Sequence, residues 1–126
     1  KKRLFIFYNQ VIVGYSGGWI RVLNLENDLF NQSFRHQDKI NSIAVINSTH
    51  FAASSKNQTI INVWNIETEN LVCKLDGIHL ESVNSLEVLI DKRLASVSLD
   101  GLINIWDLDK CRLDFSLKAK NRSYYY

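Results

Sequence analysis

A module of about 42 residues recurs three times along this chain, and a period of that length calls for a fold of stacked, similar units. The segment INSIAVINSTHFAASSKNQTIINVWNIETENLVCKL, from Ile40, aligns with VNSLEVLIDKRLASVSLDGLINIWDLDKCRLDFSL, from Val83. INS stands against VNS, AAS against LAS, and IINVWNI against LINIWDL. Trp64 and Trp106 lie 42 positions apart, and His36 and His79 lie 43 apart. A more degenerate copy, LFIFYNQVIVGYSGGWIRVLNLENDLFNQSF, comes first, with WIRVLNL 41 residues ahead of IINVWNI. The three units cover about 3–35, 36–76 and 79–118, and 119–126 reads as the start of a truncated fourth.

Within each unit, short runs of β-branched and aromatic residues are broken every 8 to 12 residues by Asn, Asp, Gly or Ser, the pattern of antiparallel strands. Four strands are predicted per unit: 4–8, 10–15, 19–25 and 29–35; 40–46, 51–55, 59–66 and 70–75; 83–89, 93–98, 102–108 and 112–118. In LINIWDL, Leu102, Asn104 and Trp106 share one face while Ile103, Ile105 and Asp107 share the other. A strand apolar on both faces fits a sheet covered on both sides by neighbouring sheets. The fold class is therefore all-β, with three four-stranded antiparallel sheets.

Composition narrows the function classes. At 126 residues, 46% hydrophobic and 22% charged, the chain is globular rather than disordered. The net charge of +2 owes much to the ends, with Lys1, Lys2, Arg3, Lys118, Lys120 and Arg122, and no basic stripe crosses the middle, so no nucleic-acid partner is expected. No apolar run reaches the roughly 20 residues of a membrane-spanning helix, and the basic start soon meets Asn9 and Gln10, unlike a signal peptide. Cys73 and Cys111 show neither metal-ligand spacing nor a disulfide framework and read as small packing residues in equivalent outer-strand regions. The lack of any methionine suggests a piece of a longer chain.

These residues resemble the WD-repeat family, whose blades are four-stranded antiparallel sheets set radially about a channel. LASVSLDGLINIWDL carries the closest match, ending in the dipeptide Trp106–Asp107. The resemblance implies a buried tetrad of His79, Ser96, Asp100 and Trp106 in the last repeat. In the middle repeat it implies His36, Ser54 and Trp64, with Gln58 at the acidic position and Asn65 closing the dipeptide. In the first repeat Gly17 and Leu23 replace Asp and Trp, so that unit relies on packing.

Other readings of these residues are weaker. Ser96, His79 and Asp100 are the residue types of a serine triad, but no nucleophile elbow surrounds Ser96 and a repeat framework explains the same spacing. Gly17 and Gly18 lack the spacing of a phosphate loop and read as a turn. The Asn-x-Ser/Thr patterns at Asn31, Asn47, Asn57 and Asn121 read as coincidental in so Asn-rich a chain, and Tyr124, Tyr125 and Tyr126 read as the opening of a further strand.

The family uses the loops at one end of its ring to bind protein or peptide partners. Here those are Gln37, Asp38 and Lys39; Leu80, Glu81 and Ser82; Lys56 and Asn57; and Ser98 and Leu99. The expected function is a non-enzymatic protein-interaction scaffold without cofactor, inside the cell. The alternative is a regulatory or substrate-recognition subunit of an enzyme complex. Three units do not close a ring, so apolar flanks are expected at either end, covered by the rest of a longer chain or by self-association.

Overall fold

The computed structural model describes residues 2–7 and 9–118. The proposed fourth-unit stub, including Asn121 and Tyr124 to Tyr126, lies outside the described residues. Twelve strands form three antiparallel sheets among the described residues, each sheet running through its four strands in chain order. Blade 1 holds β1 (Lys2–Phe7), β2 (Gln10–Tyr15), β3 (Trp19–Asn24) and β4 (Leu29–Arg35). Blade 2 holds β5 (Ile40–Val45), β6 (His50–Ser55), β7 (Ile61–Asn65) and β8 (Leu71–Leu75). Blade 3 holds β9 (Val83–Val88), β10 (Leu94–Ser98), β11 (Leu102–Asp107) and β12 (Arg112–Lys118). The all-β expectation holds, and most strand ends fall within two residues of those read from the sequence.

Turn chemistry repeats with the strands. In the turn between the third and fourth strands, Asn24, Asn65 and Asp107 accept backbone N–H groups two or three residues ahead, at 2.8 to 3.1 Å. The residue ending each turn, Asp28, Glu69 or Cys111, adopts a left-handed φ of 57°, 60° or 52°. A register shift follows at the same place in each blade, at Val22/Leu23, Val63/Trp64 and Ile105/Trp106, as expected of a turn that ends in a left-handed bulge residue. Asn65 thus performs the same turn-closing task as Asp107, because the turn needs a side-chain carbonyl oxygen and not a charge.

The sheets stack through two apolar layers. Between blades 1 and 2 lie Ile12, Ile20, Val22 and Phe34 from one side and Ile43, Phe51, Ala53 and Trp64 from the other. Phe34, Phe51 and Trp64 interlock there, with ring centroids 5.1 to 5.8 Å apart. Between blades 2 and 3 lie Ala52, Ile61, Val63, Cys73 and Leu75 against Val83, Leu86, Leu94 and Trp106. Trp64 and Trp106 therefore each face the preceding blade. Backbone-linked ties reinforce the stacking: Asn41 Nδ2 donates to Val83 O at 3.2 Å, and Leu86 N donates to Ser42 Oγ at 3.1 Å.

The flanks are apolar, as expected. Blade 3 leaves Phe115 and Leu117 42% and 51% exposed on the face that corresponds to blade 2's covered Cys73 and Leu75. Blade 1 exposes Trp19 and Phe30, with Arg35 and Arg21 lying over their rings at 5.2 and 5.9 Å.

Candidate functional site

Antiparallel order brings two kinds of connection to one end of every sheet: the link entering the first strand and the turn between the second and third. In blade 3 these are held together by a buried polar chain. Ser96 on β10 accepts Trp106 Nε1–H at 2.8 Å and donates to His79 Nε2 at 2.7 Å. His79 Nδ1–H donates to Asp100 Oδ2 at 2.8 Å, and Asp100 further accepts Leu80 N at 2.9 Å and Leu102 N at 2.8 Å. Every polar atom of the chain has a partner, which is how such a network avoids the cost of buried unsatisfied groups. Burial acts to raise the Asp100 carboxyl, but the Leu80 amide, His79 and the Leu102 amide outweigh it and hold the group below its ordinary value.

Asn104 is a fifth member that the sequence reading missed. Its Nδ2 reaches His79 Nε2 at 3.2 Å, and its Oδ1 accepts Ser116 O–H at 2.6 Å. The signal available for it was its repeat partner, Asn62, in an otherwise apolar strand. Although Ser96, His79 and Asp100 are linked as in a hydrolytic triad, Ser96 has no exposed surface and its Oγ already receives the indole N–H. A substrate carbonyl has no approach to it, so the chain of bonds can only hold the two loops in place.

Blade 2 differs, and Ser54 is not where the repeat alignment puts it. Five residues separate the strand pair Val97 and Ile103, and five separate Gly14 and Ile20, but six separate Ser54 and Ile61. The additional residue slides the inner half of blade 2 by one position relative to its tryptophan. Ala53, paired with Ile43 and Asn62, takes the place of Ser96, which is paired with Leu86 and Asn104. Ser54 turns away, with its buried Oγ unpartnered among the described residues, as are His36 Nε2 and Asn62 Oδ1. The His36 ring stays edge-on to Trp64, with centroids 6.0 Å apart, and its Nδ1 accepts Gln37 N–H at 2.9 Å. Burial pushes the His36 pKa below its usual value, against a partial opposing pull from the Ile60 and Ala53 carbonyls. Gln58 makes no acidic contact of the kind Asp100 makes; its carbonyl accepts Val83 N–H at 3.3 Å, linking blades 2 and 3.

The rim residues divide into exposed and bracing ones. Gln37, Lys56, Asn57, Leu80, Glu81 and Leu99 are exposed, with Leu80 and Leu99 at 80% and 55%. Ser98 is buried: its hydroxyl donates to Glu81 O at 3.0 Å and accepts Asp100 N–H at 3.1 Å. Ser82 Oγ accepts Asn57 N–H at 2.9 Å, and Asp38 Oδ1 accepts Lys39 N–H at 2.7 Å, so these three brace the rim. Ser55, not singled out in the sequence, is the blade 2 counterpart of Ser98 and accepts Asp38 N–H at 2.8 Å. Equivalent backbone bonds, Lys56 N to Lys39 O and Leu99 N to Ser82 O, close both blades' loops.

The cysteine reading is corrected: Cys73 and Cys111 are joined as a disulfide with Cα atoms 5.3 Å apart. They are not in equivalent positions, since Cys73 lies in β8 and Cys111 ends the turn before β12. Their 38-residue separation hides a contact that exists only when blade 3 stacks on blade 2.

No family model matches the sequence. The chain is 30% identical to "Apoptotic protease-activating factor 1" of Rattus norvegicus over 82% of its own length and 8% of that protein. It is 35% identical to "DDB1- and CUL4-associated factor 10" of Xenopus tropicalis over 63% of its length and 17% of that protein. It thus spans only a small part of the curated relatives it matches. The WD40 beta propeller domain of Doa1 superposes with a TM-score of 0.82 at 20% identity, covering 94% of this chain and 40% of that one.

Proposed function

Starting from a chain built of WD-repeat β-propeller blades, we propose that its function is to hold protein or peptide partners on the rim formed by Gln37, Lys56, Asn57, Leu80, Glu81 and Leu99. The carrying observation is the pair of exposed leucines on loops whose backbone is pinned from below: Leu80 N by Asp100, and Leu99 N by Ser82 O. Exposed apolar side chains on a rigid backbone lose little entropy on binding, which favours them as anchors for a partner's apolar side chains. The flanking charges of both signs, Lys39, Lys56 and Glu81, suit a mixed-charge protein surface better than a phosphate backbone. The chain acts without catalysis, inside the cell, and the missing blades come from the rest of a longer chain.

Quantitative capture of partners by the full-length protein tests this. Leu80→Ala/Leu99→Ala is compared with Ile90→Ala, which removes a fully exposed residue from the opposite end of blade 3. Specific partners should be lost tenfold or more with the rim pair and kept with Ile90→Ala, while urea midpoints stay unchanged. Equal retention by the two variants overturns the assignment. A second reading, a recognition or regulatory subunit of an enzyme complex, is favoured by the names of the two relatives, one a protease-activating factor and one a factor associated with DDB1 and CUL4. Recovery of a stoichiometric enzyme in the same captures supports it.

A further inference from the structure

We propose that the Cys73–Cys111 bond is a reversible latch between blades 2 and 3, closed and opened by thiol–disulfide exchange with glutathione-class molecules at Cys111. The Cα separation of 5.3 Å lies within the range a disulfide bridges without backbone movement. Repetition of the module does not account for the pairing. Cys111 occupies the left-handed turn position held by Asp28 and Glu69 in the other blades, and Cys73 occupies the strand position held by Phe115 in blade 3. Two different departures from the repeat, one on each side of a single interface, place the sulfurs together.

The two sulfurs differ in access. Cys73 is 3% exposed and packs among Ala52, Ile61, Val63 and Leu75. Cys111 is half-buried, lies between Lys110 and Arg112, and borders blade 2 at the mouth of the interface. A crevice of about 290 Å³ opens beside the pair on the Cys73 side, lined by Ile46, Asn47, His50, Cys73, Leu108 and Asp109, although Cys73 itself keeps only 3% of its surface exposed. The positive charges of Lys110 and Arg112 attract an anionic disulfide such as oxidised glutathione, with Asp109 opposing them in part.

On closing, the Cys111 thiolate attacks one sulfur of glutathione disulfide, forming a mixed disulfide and releasing one glutathione thiolate. The Cys73 thiolate then attacks the Cys111 sulfur and displaces the second. Two protein thiols lose two electrons and two protons in all, and one glutathione disulfide becomes two glutathione thiols. Opening is the reverse, begun by a glutathione thiolate at Cys111. In a compartment whose thiol pool keeps most cysteines reduced, such a pair cycles instead of remaining closed. Loops 56–58 and 80–82, bonded to one another through Asn57 and Ser82, lie at the opposite end of the same interface, so the latch and this rim bond clamp blades 2 and 3 from both ends.

The test equilibrates the full-length protein in glutathione buffers of stepped thiol-to-disulfide ratio, followed by maleimide labelling and mass spectrometry. Cys73 and Cys111 should change together from unlabelled to doubly labelled within the buffer series. Cys73→Ser should accumulate one glutathione on Cys111, and Cys111→Ser should leave Cys73 unmodified. Both thiols labelled throughout, a bond that no buffer opens, or equal glutathione uptake at Cys73 in the Cys111→Ser variant would each overturn the proposal. The wild-type titration alone decides it if a variant does not fold.

Discussion

Ala53→Ser should stabilise this protein, although it places a polar atom in a fully buried site. In blade 3 the corresponding hydroxyl of Ser96 makes two bonds, at 2.7 Å to His79 and 2.8 Å to Trp106. Blade 2 already holds the other participants in similar positions: His36 and Trp64 rings lie 6.0 Å apart against 6.3 Å for His79 and Trp106. Among the described residues His36 Nε2 has no hydrogen-bond partner to give up. Each new bond contributes a net of about 0.5 to 1.5 kcal/mol, and pairing the orphaned imidazole nitrogen adds to this; against it stands the desolvation of one hydroxyl and some local tightening. The expected balance is a gain of about 1 kcal/mol, read as a higher urea midpoint at unchanged slope. A double-mutant cycle with His36→Phe should show that most of the gain requires the imidazole. A loss of about 1 kcal/mol or more from Ala53→Ser would refute the reasoning, because that is the signature of a buried hydroxyl without partners. Ser54→Ala supplies the converse measurement. The repeat alignment makes Ser54 a tetrad member and predicts a loss; the unpartnered Ser54 Oγ predicts a change near zero or a slight gain.

Two other outcomes follow from the same geometry. Trp106→Ala removes a side chain 2% exposed and strips Ser96 of its indole partner, so chemical denaturation should show a loss of about 3 to 5 kcal/mol, whereas Leu99→Ala, exposed on the rim, should change stability by less than about 0.5 kcal/mol. Because burial holds His36 neutral in the folded state, its contribution is constant above its unfolded value near 6.5; below that, the unfolded chain takes up a proton the folded chain refuses, and stability falls by at most about 1.4 kcal/mol per pH unit until the lower folded value is passed. His36→Phe should flatten urea midpoints between pH 7 and 5, and an unchanged slope would show that another group titrates there; Asp100, held below 3.8, acts only in a more acidic window.

Most of the strand pattern was legible in the sequence because it is local. Alternation of apolar residues, turn-forming Asn, Asp and Gly, and the period set by Trp64 and Trp106 are all properties of neighbouring positions. Both faces of LINIWDL being apolar even announced the neighbours on either side. The slide in blade 2 was harder to see because Ser54 and Ser55 stand in succession, so AAS matches LAS as well as its shifted alternative does. The clue was numerical: the histidines are 43 apart and the tryptophans 42, which requires one additional residue between His36 and Trp64.

The sequence by itself determined that four-stranded sheets repeat, since that depends on spacing within one module, and its resemblance to the WD-repeat family implied the set of His79, Ser96, Asp100 and Trp106 in blade 3. Only the tertiary structure decided which residues meet across modules. Cys73 reaches Cys111, Asn57 reaches Ser82 and Asn41 reaches Val83 only once the sheets stack. The physical reason is that a repeat fixes the geometry within a blade through short-range hydrogen bonds, whereas contacts between blades depend on the stacking distance and twist of whole sheets, quantities that no single position in the chain encodes.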